Sequence, residues 1–202
     1  MTTRDMKTAL LALRRQGGTV RTRDALALGI HPATLYELRD SGQLTHLARG
    51  LYRLANGKES SNPDLAVVAA RAPDAVVCLI SALAFHNITT QVPAVVHLAV
   101  PRGKYHRVNL APLPVRVYRF DPRTFGEGLE THDLDGARIK IYSAARSVVD
   151  TFKFRNKIGL DVALEALRLA RTRKRVSVRE LLHYARLLRV ERALRPYLEA
   201  LG

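Results

Sequence analysis

The chain has 202 residues, 47% of them hydrophobic, and a formal net charge of +15. That apolar content excludes global disorder, and a single cysteine, Cys78, excludes an intrachain disulfide framework. The basic excess points to a polyanionic partner such as nucleic acid.

In chain order, residues 5–15 place Met6, Ala9, Leu10 and Leu13 on one helical face, and Gly17-Gly18 ends that helix. Thr22 to Gly42 then reads as a helix-turn-helix. Small Ala25 lets two helices cross closely, Gly29 supplies the turn, and Leu35 and Leu38 anchor the second helix of the pair. Thr22 is the expected N-cap of the first of these helices. Pro32 opens the other behind His31, an uncommon cap residue. Leu44 to Leu54, with Arg49-Gly50 at its tip, reads as the wing of a winged helix. The polar, turn-rich run Asn56 to Asn62 sets a boundary between a DNA-binding domain at 1–58 and a second domain at 62–202.

Asn62-Pro63 opens a helix to about Arg71, and an apolar run from Ala75 leads into another helix at Ser81 to His86. Val95 to Val100 and Val115 to Phe120 are expected strands. Leu129–Leu134 and Arg138–Tyr142 flank Asp135-Gly136, a hairpin turn signal. From about Ser143 the pattern is helical to the end, beginning with the face Ala145, Val148, Val149 and Phe152. The expected fold class is α+β: an N-terminal winged helix-turn-helix, then a mixed α/β domain ending in a helical segment. No apolar run reaches the length of a membrane span and the N-terminus has no signal-peptide core, so a cytoplasmic protein is expected.

Charge sits at the two ends: +6 over residues 1–58, +1 over 59–150 and +8 over 151–202. On the third helix Ala33, Thr34, Tyr36 and Glu37 are expected to face outward, with His31 at the end that enters a major groove. His31 and Thr34 can donate or accept at base edges, and Glu37 can accept from cytosine. Arg21, Arg23 and Arg39 flank this helix and suit phosphates, and Arg49 and Arg53 lie on the wing. A second basic group, Arg171, Arg173, Lys174 and Arg175, is either a solvated helix end or a further surface for a polyanion or an acidic protein.

Signs of catalysis are weak. The seven histidines have no ligand-spaced partners, so neither a metal nor any other cofactor is expected. Phe125-Gly126-Glu127-Gly128 is a loop, lacking the helix and third glycine of a nucleotide fingerprint. Asp135 to Lys140 is similar to part of a nuclease metal site, but Arg138 stands where an acid is needed and would repel a cation. A hairpin turn is the better reading, and no enzymatic activity is expected.

Several stretches carry a family likeness. They are Gly29-Ile30 with Ala33-Thr34-Leu35, Leu44 to Tyr52, Ser81 to His86, Val96 to Gly103, and Tyr142 to Asp150. In these the chain resembles the AbiEi-type antitoxins of bacterial type IV toxin–antitoxin and abortive-infection systems. Ala144 departs from the proline common in the last stretch. The resemblance implies a winged helix that represses its own operon at inverted repeats in double-stranded DNA. It also implies a C-terminal part that counters a nucleotidyltransferase toxin, with or without binding it. Two other readings stay open: a winged-helix regulator whose second domain senses a ligand or oligomerises, and a degenerate nuclease.

Overall fold

The structure is a computed structural model of the chain, and it describes residues 3–56, 62–103, 108–134 and 137–201. These fall into two compact units, one of residues 1–73 with 132–139 and one of residues 74–131 with 140–202.

The first unit opens with α1 (Thr3–Arg15), β1 (Thr19–Arg21), α2 (Thr22–Ala27) and α3 (Pro32–Asp40). The wing strands β2 (Leu44–Ala48) and β3 (Leu51–Leu54) follow, then α4 (Pro63–Arg71). The strands form an antiparallel sheet in the order β1-β3-β2, with Val20 opposite Tyr52 and Leu44 opposite Leu54. Those residues join Ala9, Leu13, Ala25, Ile30, Leu35 and Leu38 in one core. The steric skeleton of the motif is therefore where its spacing places it. Ala25 is fully buried, and Gly29 adopts φ +78, a conformation that a side chain strains.

Two local details differ from expectation. Thr22 is the first residue of α2, not its cap. Its N–H donates to the Gly50 carbonyl at 2.9 Å and its hydroxyl leans toward the same oxygen, so the helix start is tied to the wing tip. The expected linker lies mostly outside the described residues, and α4 groups with the first unit, so that unit extends to Pro73.

The second unit contains β4 (Val76–Val77), α5 (Leu79–Phe85), β5 (Val96–Pro101) and β6 (Val115–Phe120). The hairpin strands β7 (Leu129–Leu134) and β8 (Ala137–Tyr142) come next, with residues 132–134 and 137–139 grouped in the first unit, and their turn at 135–136 lies outside the described residues. The sheet order is β6-β5-β4-β8-β7. Strand β5 runs parallel to β6, and two-residue β4 sits at the centre, antiparallel to β5 and parallel to β8. Five helices end the chain: α6 (Ala144–Lys153), α7 (Arg155–Ile158), α8 (Leu160–Thr172), α9 (Val178–Leu187) and α10 (Glu191–Ala200). Val148, Val149 and Phe152 of α6 meet Ala163, Ala166 and Leu167 of α8 and Leu181 and Ala185 of α9 in a fully buried cluster. The fold is α+β with a helical C-terminal segment. No described helix is long and apolar enough to cross a membrane.

Candidate nucleic-acid interface

Helix α3 buries Leu35 and Leu38 against the core, and this fixes which side chains remain outside. Tyr36 and Glu37 are exposed and Ala33 is half-buried. At helical spacing they share one face with exposed Asp40, which the sequence reading passed over although the spacing of three and four carries the signal. His31 is exposed at the N-terminal end, where its Nδ1 accepts from the Ala33 N–H at 3.2 Å and caps the helix. The unusual residue thus does the ordinary work of a cap, and its ring is held at the end of the helix.

Thr34 corrects the expectation. It is only 4% exposed, so it faces inward beside Leu35 and does not join the face of Tyr36. The reason lies in the helical period. Positions 34, 35 and 38 form the arc that packs inward, and a β-branched side chain at 34 fills part of that seam.

The arginines divide. The Arg39 guanidinium lies over the Tyr36 ring at 5.2 Å and meets Asp40 at 2.8 Å. Hydrogen bonding to Arg39 in turn holds the Asp40 carboxyl below its usual range. Arg23 is exposed and bonded to Asp24 at 3.2 Å, and Arg49 is exposed at the wing. Arg53 is half-buried on β3, opposite Thr19 and Thr45. Arg21 turns away from this set. Its guanidinium donates to the Ala69 carbonyl of α4, and burial followed by repulsion from Arg23 lowers its pKa. So engaged, it stands apart from the arginines that flank α3.

In the second unit Arg173, Lys174 and Arg175 are exposed where α8 ends, while Arg171 is half-buried. The Arg173 guanidinium donates to the Asn87 carbonyl, so part of this basic group ties the end of α8 to the chain that follows α5. A concentration that the sequence did not reveal lies elsewhere. Arg155, Arg186, Arg189 and Arg192 line one hollow with Glu191, which accepts from Arg186 at 3.3 Å. These arginines come from two separate stretches of chain, at 155 and at 186–192, and only the +8 excess hinted at them.

The stretch Tyr142 to Asp150 has a structural explanation. Arg146 and Asp150, one helical turn apart on α6, are both completely buried and joined Nε to Oδ2 at 3.0 Å. Arg146 Nη1 also donates to the carbonyls of Thr124 and Glu127, at 2.9 and 3.0 Å, and the guanidinium stacks over Tyr142 at 4.7 Å. Burial drives the Asp150 carboxyl up to about 6 against the attraction of Arg146. The arrangement pins the 121–128 loop to α6. Among the described residues no three His, Cys, Asp or Glu side chains gather as a metal site.

Comparison with known proteins agrees with this architecture. Residues 8–55, from α1 to the end of the wing, match the family model described as "Transcriptional regulator, AbiEi antitoxin", the family whose likeness the sequence carries. The RV2827C protein from Mycobacterium tuberculosis, known from a crystal structure, aligns with 92% of this chain and 72% of its own at a TM-score of 0.58. Sequence identity in that pair is 14%, so the likeness is one of fold. No curated protein sequence matches the chain.

Proposed function

We propose that the protein is a DNA-binding transcriptional regulator of the AbiEi antitoxin kind. Its winged helix represses the operon that encodes it, and the remainder of the chain counters a nucleotidyltransferase toxin in the cytoplasm. The observation that carries the DNA-binding part is the coincidence of the family match at 8–55 with a complete helix, turn, helix and wing. That scaffold leaves Tyr36 and Glu37 outward and Arg23, Arg39 and Arg49 accessible. Base reading belongs to His31, Ala33, Tyr36 and Glu37, and phosphate contacts to Arg23, Arg39, Arg49 and Arg53. The family description supports the antitoxin half, with the toxin acting as a functional partner.

The match ends at the wing, which favours keeping a second reading: a winged-helix regulator unconnected with any toxin. Two measurements separate them. In a binding assay on DNA from upstream of the gene, Glu37→Ala and Tyr36→Ala weaken the preferred site about tenfold and random DNA less, the pattern of base contacts. Equal weakening on both DNAs would remove these residues from base reading. In co-expression, the full chain restores growth to cells carrying a neighbouring nucleotidyltransferase gene. Failure to restore it, with DNA binding intact, leaves the plain regulator.

A further inference from the structure

Away from the outer face of α3, the first unit holds a cleft of about 540 Å³ lined by Arg21, Arg23 and Arg138 together with Gln16, Thr19 and Asp24. Its volume falls within the range of about 300–1,000 Å³ typical of small-molecule sites. Three guanidinium groups face one carboxylate, and that carboxylate is engaged by the Arg23 Nε at 3.2 Å. Two positive charges are therefore left without a counter-charge. The Arg21 head is held in place by its bond to the Ala69 carbonyl, which occupies one of its five donors.

We infer that this cleft binds a small, free, doubly charged anion bearing a phosphate group. The guanidinium fork matches phosphate oxygens in pairs, the Gln16 amide supplies a neutral donor, and a dianion balances the two spare charges. Of the proposed DNA contacts, Tyr36, Glu37 and Arg49 do not line the cleft, and Arg23 is shared with it. Helix α2 forms one wall through Asp24 and Ala27, and the residue that caps it, Leu28, lines both this cleft and the groove that holds His31 and Thr34. A ligand here bears on the helix that seats α3, so the site is placed to act as an effector site.

The test is isothermal titration of the full chain with inorganic pyrophosphate at fixed ionic strength. One saturable site is expected. Arg138→Ala should weaken it at least tenfold with melting temperature maintained, and Arg138→Lys should restore only part because the fork is lost. Arg192→Ala, in the other unit, should leave the affinity unchanged. Non-saturating heats, or equal losses from Arg138→Ala and Arg192→Ala, would reduce the effect to general charge and overturn the site. A DNA-binding assay without pyrophosphate supplies the remaining arm. If Arg138→Ala weakens DNA binding by the same factor, the cleft seats a backbone phosphate and the free anion is rejected. The titration contains no DNA, so its failure leaves the DNA-binding proposal intact.

Discussion

Arg146 meets no solvent, and its ion-pair partner Asp150 has none either, so the pair can be judged by what is lost when one member goes. Removing the carboxylate leaves a permanently charged guanidinium in the core. Asp150→Ala should therefore lower unfolding stability by about 3–5 kcal/mol in urea titrations. Arg146→Met combined with Asp150→Leu should recover only part of that, because the Thr124 and Glu127 carbonyls still lose their donor. His97 gives a pH-dependent counterpart. It is buried on β5, stacked on the Tyr118 ring at 5.4 Å, and its Nδ1 has no partner. Burial, aided by Arg116, depresses its pKa to about 4. An unfolded chain binds the proton near pH 6.5 and the folded one resists it, so stability is full above pH 6.5 and declines as pH falls toward 4. The loss attributable to His97 is about 3 kcal/mol by that linkage. It should appear as the difference between wild type and His97→Phe in melting curves taken from pH 7.5 to 4. Parallel curves would show that His97 titrates normally.

At the scale of elements, the 121–128 loop is held by fit as well as by hydrogen bonds. Gly128 has φ +67, and a Cβ there would stand 2.9 Å from both the Arg146 Cβ and the Tyr184 hydroxyl. The Tyr142 hydroxyl donates to the Phe125 carbonyl at 2.8 Å from the other side. Gly128→Ala should thus cost roughly 2–4 kcal/mol, combining left-handed strain with overpacking. The same residue change at Gly29, where nothing lies within 4 Å, meets only the strain and should cost about 1–2 kcal/mol. Comparing the two by thermal unfolding separates conformational strain from crowding, and equal costs would deny the crowding. This contrast marks what was legible beforehand. Ala25, Gly29, Leu35 and Leu38 declare themselves because their spacing is short and their roles are steric. The outward set on α3 was one residue out at Thr34, because the arc that faces inward depends on what packs there. The arginine hollow and the loop seat on Arg146 join residues far apart in the chain, and no local period reports such meetings. Short β1 and β4 were missed because two or three residues are too few to show alternation.

At the scale of the whole molecule, α4 changes where the first unit ends. Its Ala69 carbonyl receives the Arg21 guanidinium, and Leu65, Ala66, Val68 and Ala69 are buried. A fragment ending at residue 58 omits all of them. A 1–73 fragment should melt several degrees above a 1–58 fragment, as expected when about 1–2 kcal/mol is added to a small domain. Identical melting temperatures would place α4 outside the stabilising unit and restore the boundary at 58. The same comparison in a DNA-binding assay tests whether tethering Arg21 is needed to hold α3 in register.

Strand β4 also has a consequence for how the protein is made. Val76 and Val77 occupy the middle of the sheet, yet one neighbour is some twenty residues downstream and the other more than sixty. A chain emerging from the ribosome completes β5 and β6 long before Ile141, the residue opposite Val77, has been synthesised. Through that interval the half-built sheet presents a bare apolar border, the kind of edge on which other chains can pair. Conditions that slow elongation between about residues 100 and 140 should therefore favour aggregation of nascent chains, whereas the finished sheet covers that border with β8.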